Sequence, residues 1–505
     1  MNNAKHFLAL DLGAESGRAI LGTLDNGRMT LSEQHRFLTG ANSFPTDYQK
    51  DDHSGTSLVW DVVRIWSEIK KGIKLAAGQA PLTSVGVDTW GVDFGLLDKN
   101  GALLGMPFHY RDSRTDGMLE EAFARMPKED IYRITGIQFM QISTLYQLLS
   151  MVVGQSPQLQ IADKFLMMAD LIHYWLSGTA AVEFTNATTT QCLDSRKRDW
   201  SAEILDAMQL PRVIFPRIVM PGTRLGGLRP ALAAELGCNP SVVVPATHDT
   251  GAAVSAVPAK RDDYVWISSG TWSIVGMNVP EPVISPLSLR YNFTNEGGLD
   301  GSYRFSKNVM GLWIVQQCRS QWQQEGREFS YAEMAGMATQ APHLKAFIDP
   351  DYREFLGMGS MADKVVDYCR LTGQPLPANE GEVLRAVLQG LALRYRYVIE
   401  KLEEVSGRKT AVVHIIGGGT QNRLLNQFTA DALGKPVLTG PVEATAVGNL
   451  ITQARAAGII EDGEQGTAII RNSFPIETYQ PGKPDEWNVA YEAFKINLEK
   501  TKLAF

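Results

Sequence analysis

Residues 242–257 read VVVPATHDTGAAVSAV. An apolar run of the kind that makes a buried strand ends at Pro245. Three polar residues follow at once, His248, Asp249 and Thr250, and the chain then turns small and apolar as a helix would. A strand-to-helix junction holds a side chain rigidly, and a helix N-terminus favours negative charge. An Asp held there stays ionised and can accept the proton of a hydroxyl that attacks phosphorus, while the adjacent imidazole fixes the hydroxyl-bearing molecule by hydrogen bonds. The same residues also allow a plain structural role, in which Asp249 or Thr250 caps the helix and His248 is satisfied in the core.

Three glycine turns could serve a phosphorylated ligand. In LDLGAESGR, residues 10–18, Asp11 ends a buried strand, where a carboxylate is costly unless paired or metal-bound. Gly13 and Gly17 permit a tight turn with exposed N–H groups, and Arg18 adds charge. SSGTWS, residues 268–273, is a second turn of small hydroxyls and glycine. IIGGGTQN, residues 415–422, places three glycines after a buried strand, which suits a flat group packing on bare backbone and equally suits a tight strand-to-helix turn. Neither a dinucleotide fingerprint nor a Walker loop is present. GVDTWGVDF, residues 86–94, sets Asp88 and Asp93 around a Trp flanked by glycines, a pattern that fits a sugar or a strand with a core Trp. YRDSRT, residues 110–115, reads as a charged strand end or loop, with a solvated ion-pair cluster as the bland alternative.

These turns need strands and helices to hold them. HFLALDL, RAILGTL and RMTLSEQHRF read as a β-meander, and residues 43–57 as a surface loop. WDVVRIWSEIKKGIKLAAG predicts a helix capped by Asp61, with Val63, Trp66, Ile69 and Ile73 on its apolar stripe. Strands return at residues 82–110, with a turn at Lys99-Asn100-Gly101. YVWISSGTWSIVGMNV repeats the opening plan of strand, polar glycine turn and strand; the echo is faint and leaves an internal duplication open. Helices are expected over residues 381–405, after the triple glycine, and in EATAVGNLITQARAAG.

At 505 residues the chain is too long for one core, so two large domains are expected, 1–245 and 246–505. The net charge of −7 argues against nucleic acid or an anionic membrane as main partner. Cys192, Cys238, Cys318 and Cys369 lack disulfide or metal-ligand spacing and read as free thiols. The N-terminal apolar run is cut by Asp11 and reads as a first strand, and no stretch is long and apolar enough to span a membrane, so a cytoplasmic protein is expected.

The order of the motifs resembles the FGGY carbohydrate kinases, within the actin–hexokinase superfamily. DTWGVDF, YRDSRT, GIQF, TNATTTQ, THDT, SSGTWS, TNEGG, KNVMGLW, GGGTQN and GPVEAT carry the resemblance along nearly the whole chain, and several of them narrow it to members that act on L-rhamnulose. The resemblance implies an α/β, two-domain actin/hexokinase-like (ribonuclease-H-like) fold with a deep interdomain cleft. The N-terminal domain would bind sugar and the C-terminal domain nucleotide. It implies ATP-dependent phosphorylation of L-rhamnulose at the C1 hydroxyl with Mg²⁺, by a monomer or homodimer whose partners are a ketose and ATP. Asp249 would be the catalytic base. Gly91, His248, Asp249, Thr250 and Asn308 would bind the sugar. Ala14, Glu15, Ser16, Gly17, Arg18, Thr271, Gln316 and Gly418 would bind ATP, and Asp11 would reach the metal through water. Two features depart from the family. Glu15 stands where a small hydroxyl is common and is expected to point outward or to bind Mg²⁺ through water, and the charged loop at 43–57 is longer than usual. The competing functions are a kinase for L-fuculose or D-xylulose, and a non-catalytic sugar- or ATP-binding regulator on the same fold. A regulator needs no base, so Asp249 favours the enzyme.

Overall fold

Strand Lys5–Leu12 is apolar on both faces, and residues 7–12 are buried throughout. It therefore sits inside a sheet rather than at an edge. In the computed structural model, which describes residues 4–46, 55–357, 359–482 and 484–502, it pairs antiparallel with Ser16–Asp25 and parallel with Leu82–Thr89. The sheet runs, edge to edge, Arg224–Gly226, Ser241–Val243, Leu82–Thr89, Lys5–Leu12, Ser16–Asp25, Arg28–Leu38. Helix Val62–Gln79 covers one face. Helix Val62–Gln79 is capped by Asp61, whose carboxylate accepts from the Arg64 N–H. Its buried stripe is Val62, Ile65, Ile69, Ile73 and Ala76, which includes the expected Ile69 and Ile73; Trp66 is half-buried against the same core and Val63 is exposed. Val63 is apolar as well, and Gly72, whose Cβ would stand 2.6 Å from the Ala19 side chain, marks the face that meets the sheet.

The chain divides into two compact units: residues 1–256, 278–305 and 444–473 form the first, and 257–277, 306–443 and 474–505 the second. The chain thus passes between the units after residues 256, 277, 305, 443 and 473, where a single division at 245/246 was expected. In the second unit, Tyr264–Ser269 pairs antiparallel with Trp272–Val279 and parallel with Val412–Ile416, which pairs parallel with Val437–Thr439. This is the connectivity of the first sheet: a meander whose first strand takes a later parallel strand on its other side. The echo read in the sequence is matched by the same strand plan in each unit.

The expected surface loop at 43–57 needs correction at both ends. Ala41–Pro45 and Thr56–Trp60 pair antiparallel, with Ser57, Val59 and Trp60 of the second strand buried and the first strand largely exposed; residues 47–54 of that stretch lie outside the described residues. Of the strands expected over 82–110, Leu82–Thr89 and Phe94–Leu97 form, the latter pairing with Lys164–Met167, whereas residues 98–110 carry only isolated bridges at Leu103 and Phe108. The expected helices form as Glu380–Ser406, Arg423–Leu433 and Ala444–Ala456. All four cysteines are free thiols. Among the described residues no helix is long and apolar enough to cross a membrane.

Helix Ala444–Ala456 lies against the face of the first sheet opposite Val62–Gln79. Gly22 and Gly86 make room for Leu450 and Asn449, and Gly448 touches helix Asp249–Ser255 backbone to side, so close that its Cβ would stand 1.9 Å from the Ala252 carbonyl oxygen. No rotamer can relieve a clash with backbone. Gly448→Ala is therefore expected to lower unfolding free energy by about 1–3 kcal/mol, the usual cost of overpacking. Urea denaturation measures it; an unchanged midpoint would mean the two helices are not in contact at this point.

Candidate active site

Asp249 is the first residue of helix Asp249–Ser255, and the N-cap is His248, which makes no side-chain cap bond. This corrects the capping alternative: neither Asp249 nor Thr250 is the cap. Instead the Asp249 Oδ1 accepts from the Thr250 N–H at 2.5 Å and from its hydroxyl at 3.2 Å, and faces the His248 Nε2 at 3.4 Å. All three contacts fall on Oδ1, and 34% of the side chain remains exposed. Burial of its surroundings raises the Asp249 pKa; Asp11 adds to the rise, while His248 and the Thr250 hydrogen bonds oppose it. The result is a carboxylate of raised basicity with a face open to a ligand.

His248 is locked from behind by two residues the sequence reading left without a role. The Arg304 Nη2 donates to its Nδ1 at 2.9 Å, and the Glu296 Oε2 lies 3.3 Å from the same nitrogen and 3.1 Å from the Arg304 Nη2. Arginine cannot accept, so in the neutral ring Nδ1 is the acceptor and Nε2 carries the hydrogen, aimed toward Asp249. Burial alone would push the Glu296 pKa up, but the charge of Arg304 leads the effects that outweigh it, and the carboxyl is held at about 2. Glu296 lies in TNEGG, one of the quoted strings; Arg304 is 56 residues from His248, and no local pattern links them.

Gly91 faces the same imidazole: a Cβ there would stand 3.4 Å from the His248 Nε2 and 3.3 Å from the Thr189 Oγ1. The next residue, Val92, has φ +68°, a costly conformation for a β-branched side chain. Its carbonyl is held by the Thr144 hydroxyl at 2.6 Å and the Gln147 amide at 3.3 Å, and its N–H reaches Thr189 at 3.4 Å. The carboxylates beside it are not a sugar-facing pair, as the sequence pattern allowed. Asp93 is fully buried and accepts from the Trp60 and Trp90 indoles at 2.7 and 3.0 Å, from Gln147 and from the Tyr110 N–H; burial raises it to about 6 against those bonds. Asp88 is fully buried too, accepts from the Asn449 amide at 2.6 Å, and is pushed well up by burial and by Asp11. YRDSRT is likewise no solvated cluster: Asp112 and Arg114 are buried, and the Arg114 guanidinium lies 3.9 Å above the Phe108 ring.

In the first glycine turn the Gly13 N–H donates to the Ser16 carbonyl at 3.0 Å, and Thr39 ties the turn from outside through the Gly13 and Glu15 carbonyls. Ala14 and Ser16 are half-buried and Glu15 is exposed. Gly17 is bare because the Phe37 ring needs the space; its Cβ would be 2.5 Å away. Arg18 pairs across the hairpin with Asp11, so its charge is shared with that carboxylate.

The second unit holds Thr271, Asn308, Gln316 and Gly418. Gly311 lets the start of helix Trp313–Gln324, which carries Gln316, pack on the Gly270-Thr271 turn: the Leu312 and Trp313 N–H groups donate to the Gly270 and Thr271 carbonyls at 3.0 and 3.1 Å. Asn308 lies in strand Tyr303–Met310 beside Lys307, which burial and the nearby Arg394 lower to about 8. The triple glycine separates by role. Gly417 has φ +83°, and a Cβ on Gly419 would sit 2.0 Å from the Ser269 hydroxyl, whereas a Cβ on Gly418 would meet nothing within 4 Å. The turn explains the two outer glycines and leaves the middle one unexplained. Among the described residues no group of three or more His, Cys, Asp or Glu could hold a metal directly.

Residues 6–255 match the family model for the N-terminal domain of the FGGY family of carbohydrate kinases, and residues 265–457 match its C-terminal domain. A rhamnulokinase of Oceanobacillus iheyensis is 41% identical over 477 residues, covering 94% of this chain and 97% of its own. One from Bacteroides thetaiotaomicron is 40% identical, covering 97% and 99%. Among solved structures, a ligand-bound xylulose kinase from Lactobacillus acidophilus superposes with TM-score 0.80 at 17% identity over 98% of this chain and 97% of its own. Plasmodium falciparum glycerol kinase with ADP does so at 0.78 and 14%, over 98% of each. These structures share the two-domain, actin/hexokinase-like fold. The chain belongs to the FGGY family of carbohydrate kinases, enzymes that transfer phosphate from ATP to a sugar.

Proposed function

We propose that the protein phosphorylates L-rhamnulose at its C1 hydroxyl, giving L-rhamnulose 1-phosphate and ADP in L-rhamnose catabolism, in the cytoplasm and as a monomer or homodimer. The observation that supports this substrate is identity of about two residues in five along nearly the whole chain with proteins named rhamnulokinase. Asp249 is the base. As the sugar oxygen bonds to the γ-phosphorus, Asp249 takes its proton and the bond from phosphorus to the β-bridging oxygen breaks, releasing ADP. A raised pKa suits this task, because a base close to the working pH both stays ionised and holds the proton well; such a base contributes ~10²–10⁴-fold. His248, kept by Arg304 as an Nε2–H donor, orients the sugar together with Thr250, and Gly91 leaves bare backbone for the sugar to approach. Asn308 contributes a further sugar contact.

In this reading residues 1–245 chiefly serve the sugar and 246–505 the nucleotide, except that the base and its histidine fold with the first unit. Ala14, Glu15, Ser16, Gly17 and Arg18 hold phosphate oxygens, mainly through backbone N–H groups, since the Glu15 side chain points to solvent. Thr271 and Gln316 support the phosphates, and Gly418 carries the nucleoside. Mg²⁺ fits beside Asp11 through water: Asp11 and Asp88 are register partners on adjacent strands, and the Asp88 Oδ1 is buried with no hydrogen-bond partner. When bound, the ion neutralises phosphate charge.

The substrate is tested by kcat/KM for L-rhamnulose, L-fuculose and D-xylulose with ATP in a coupled ADP-release assay. L-rhamnulose should lead by at least about tenfold, since one unpaired buried polar group costs ~1–3 kcal/mol. A higher value for either other ketose would contradict the assignment.

Gly418→Val tests the nucleotide side. The protein leaves room for its side chain, so the fold should survive and KM for ATP should rise at least about fivefold with KM for the sugar little changed. An unchanged KM for ATP in the folded variant would mean that the triple glycine serves only the turn.

A further inference from the structure

TNATTTQ, the string beginning at Thr185, follows a residue with an unusual load. Glu183 ends strand Val182–Glu183 and is fully buried. Its Oε1 accepts from the Thr185 N–H at 2.7 Å; its Oε2 accepts from the Thr185 hydroxyl at 2.5 Å, the Thr247 N–H at 2.9 Å and the Thr247 hydroxyl at 2.8 Å. Only the first of these four bonds caps helix Phe184–Thr189. Two reach a residue 64 positions away, next to His248. The Thr185 hydroxyl also accepts from the His248 N–H at 3.2 Å, so its own hydrogen goes to Glu183. From the other side the Thr247 carbonyl accepts from the Thr89 N–H at 2.8 Å. The backbone that presents His248 and Asp249 is therefore gripped on both edges, one edge by the Glu183 carboxylate, directly at Thr247 and through the Thr185 hydroxyl at His248.

We infer that Glu183 is a positioning residue for phosphoryl transfer: through Thr247 and Thr185 its carboxylate sets the backbone that aims His248 and Asp249. This rests on the proposed reading of Asp249 as the base. The ionised form is the one that accepts four donors. Burial pushes the Glu183 pKa up and the four donors oppose the rise. Asp170, whose Oδ1 accepts from the Glu183 N–H at 3.2 Å, is pushed well above the ordinary Asp value by burial and by the Glu183 charge.

A merely structural glutamate would affect stability alone, so the test is a double-mutant cycle with Asp249. Glu183→Gln keeps the size but turns a donor toward donors. We expect a folded enzyme whose kcat falls at least about tenfold while KM for ATP stays within about twofold. In the Asp249→Asn background, where turnover is already down ~10²-fold or more, Glu183→Gln should change the residual rate of labelled phosphate transfer by less than about twofold, because residues acting as one unit are not additive. The same factor in both backgrounds, or a wild-type kcat for Glu183→Gln, overturns the inference. Wild-type turnover by Asp249→Asn alone would instead overturn the base assignment. If Glu183→Gln does not fold, Thr247→Val carries the same cycle: it removes one hydroxyl donor, should lower kcat about threefold, and should lose that effect in the Asp249→Asn background; additivity there overturns the inference equally.

Discussion

Three carboxyl groups crowd one end of one sheet, and the arrangement of the first unit follows from keeping one of them usable. Asp11 and Asp88 are register partners on adjacent parallel strands, and both raise the cost of charge nearby: Asp11 pushes up Asp88 and Asp249, and Asp249 pushes up Asp88. Like charges this close cannot all be carried in a buried setting. Each is answered differently. Arg18 pairs with Asp11, the neutral amide of Asn449 meets Asp88, and Asp249 alone keeps an open face, with His248 and Thr250 gathered on one oxygen. Arg304 and Glu296 hold the imidazole, and Glu183 holds the backbone beneath it. On the proposed reading, the open carboxylate is the one that does chemistry.

Close packing supports this end of the sheet. Helix Ala444–Ala456 comes from the last part of the chain, yet it supplies Asn449 to Asp88 and, through Gly448, touches the helix that begins at Asp249. The glycines at 22, 86 and 448 are there for that contact, and so is Gly17 for the Phe37 ring. Gly91 and Gly418 are of another kind. The first is bare toward His248 and Thr189, the second toward open space, and no turn conformation demands either. On the proposed reading, that bare backbone is where the sugar and the nucleoside lie.

Local pattern carried much of the fold. Strand alternation, the Asp61 cap and the strand–glycine–strand units were legible because each depends on neighbours within a few residues. The stripe on helix Val62–Gln79 was read correctly at Ile69 and Ile73 and placed too far round at Val63, which is exposed, because Val63 is apolar as well, and Gly72 against Ala19 marks the face that meets the sheet. Asp93 looked available for a sugar because its partners, Trp60, Tyr110 and Gln147, are distant in sequence. Arg304, Glu183 and Asn449 went without roles for the same reason: they act across 56, 64 and 361 positions. His248, Asp249 and Thr250 stood out because three polar residues interrupt an apolar run at a junction, which is a local signal.

The central claim is that Asp249 works as an ionised base whose pKa its surroundings raise. The pH dependence of kcat/KM for L-rhamnulose, in the wild type and in Asp249→Asn, tests it most directly. Below its pKa Asp249 already carries a proton and cannot take another, so wild-type kcat/KM should fall on the acid side with a midpoint above the ordinary Asp value of about 3.9. Asp249→Asn should be slow at every pH and lack that fall. A variant as fast as the wild type, with the same acid limb, would contradict the account.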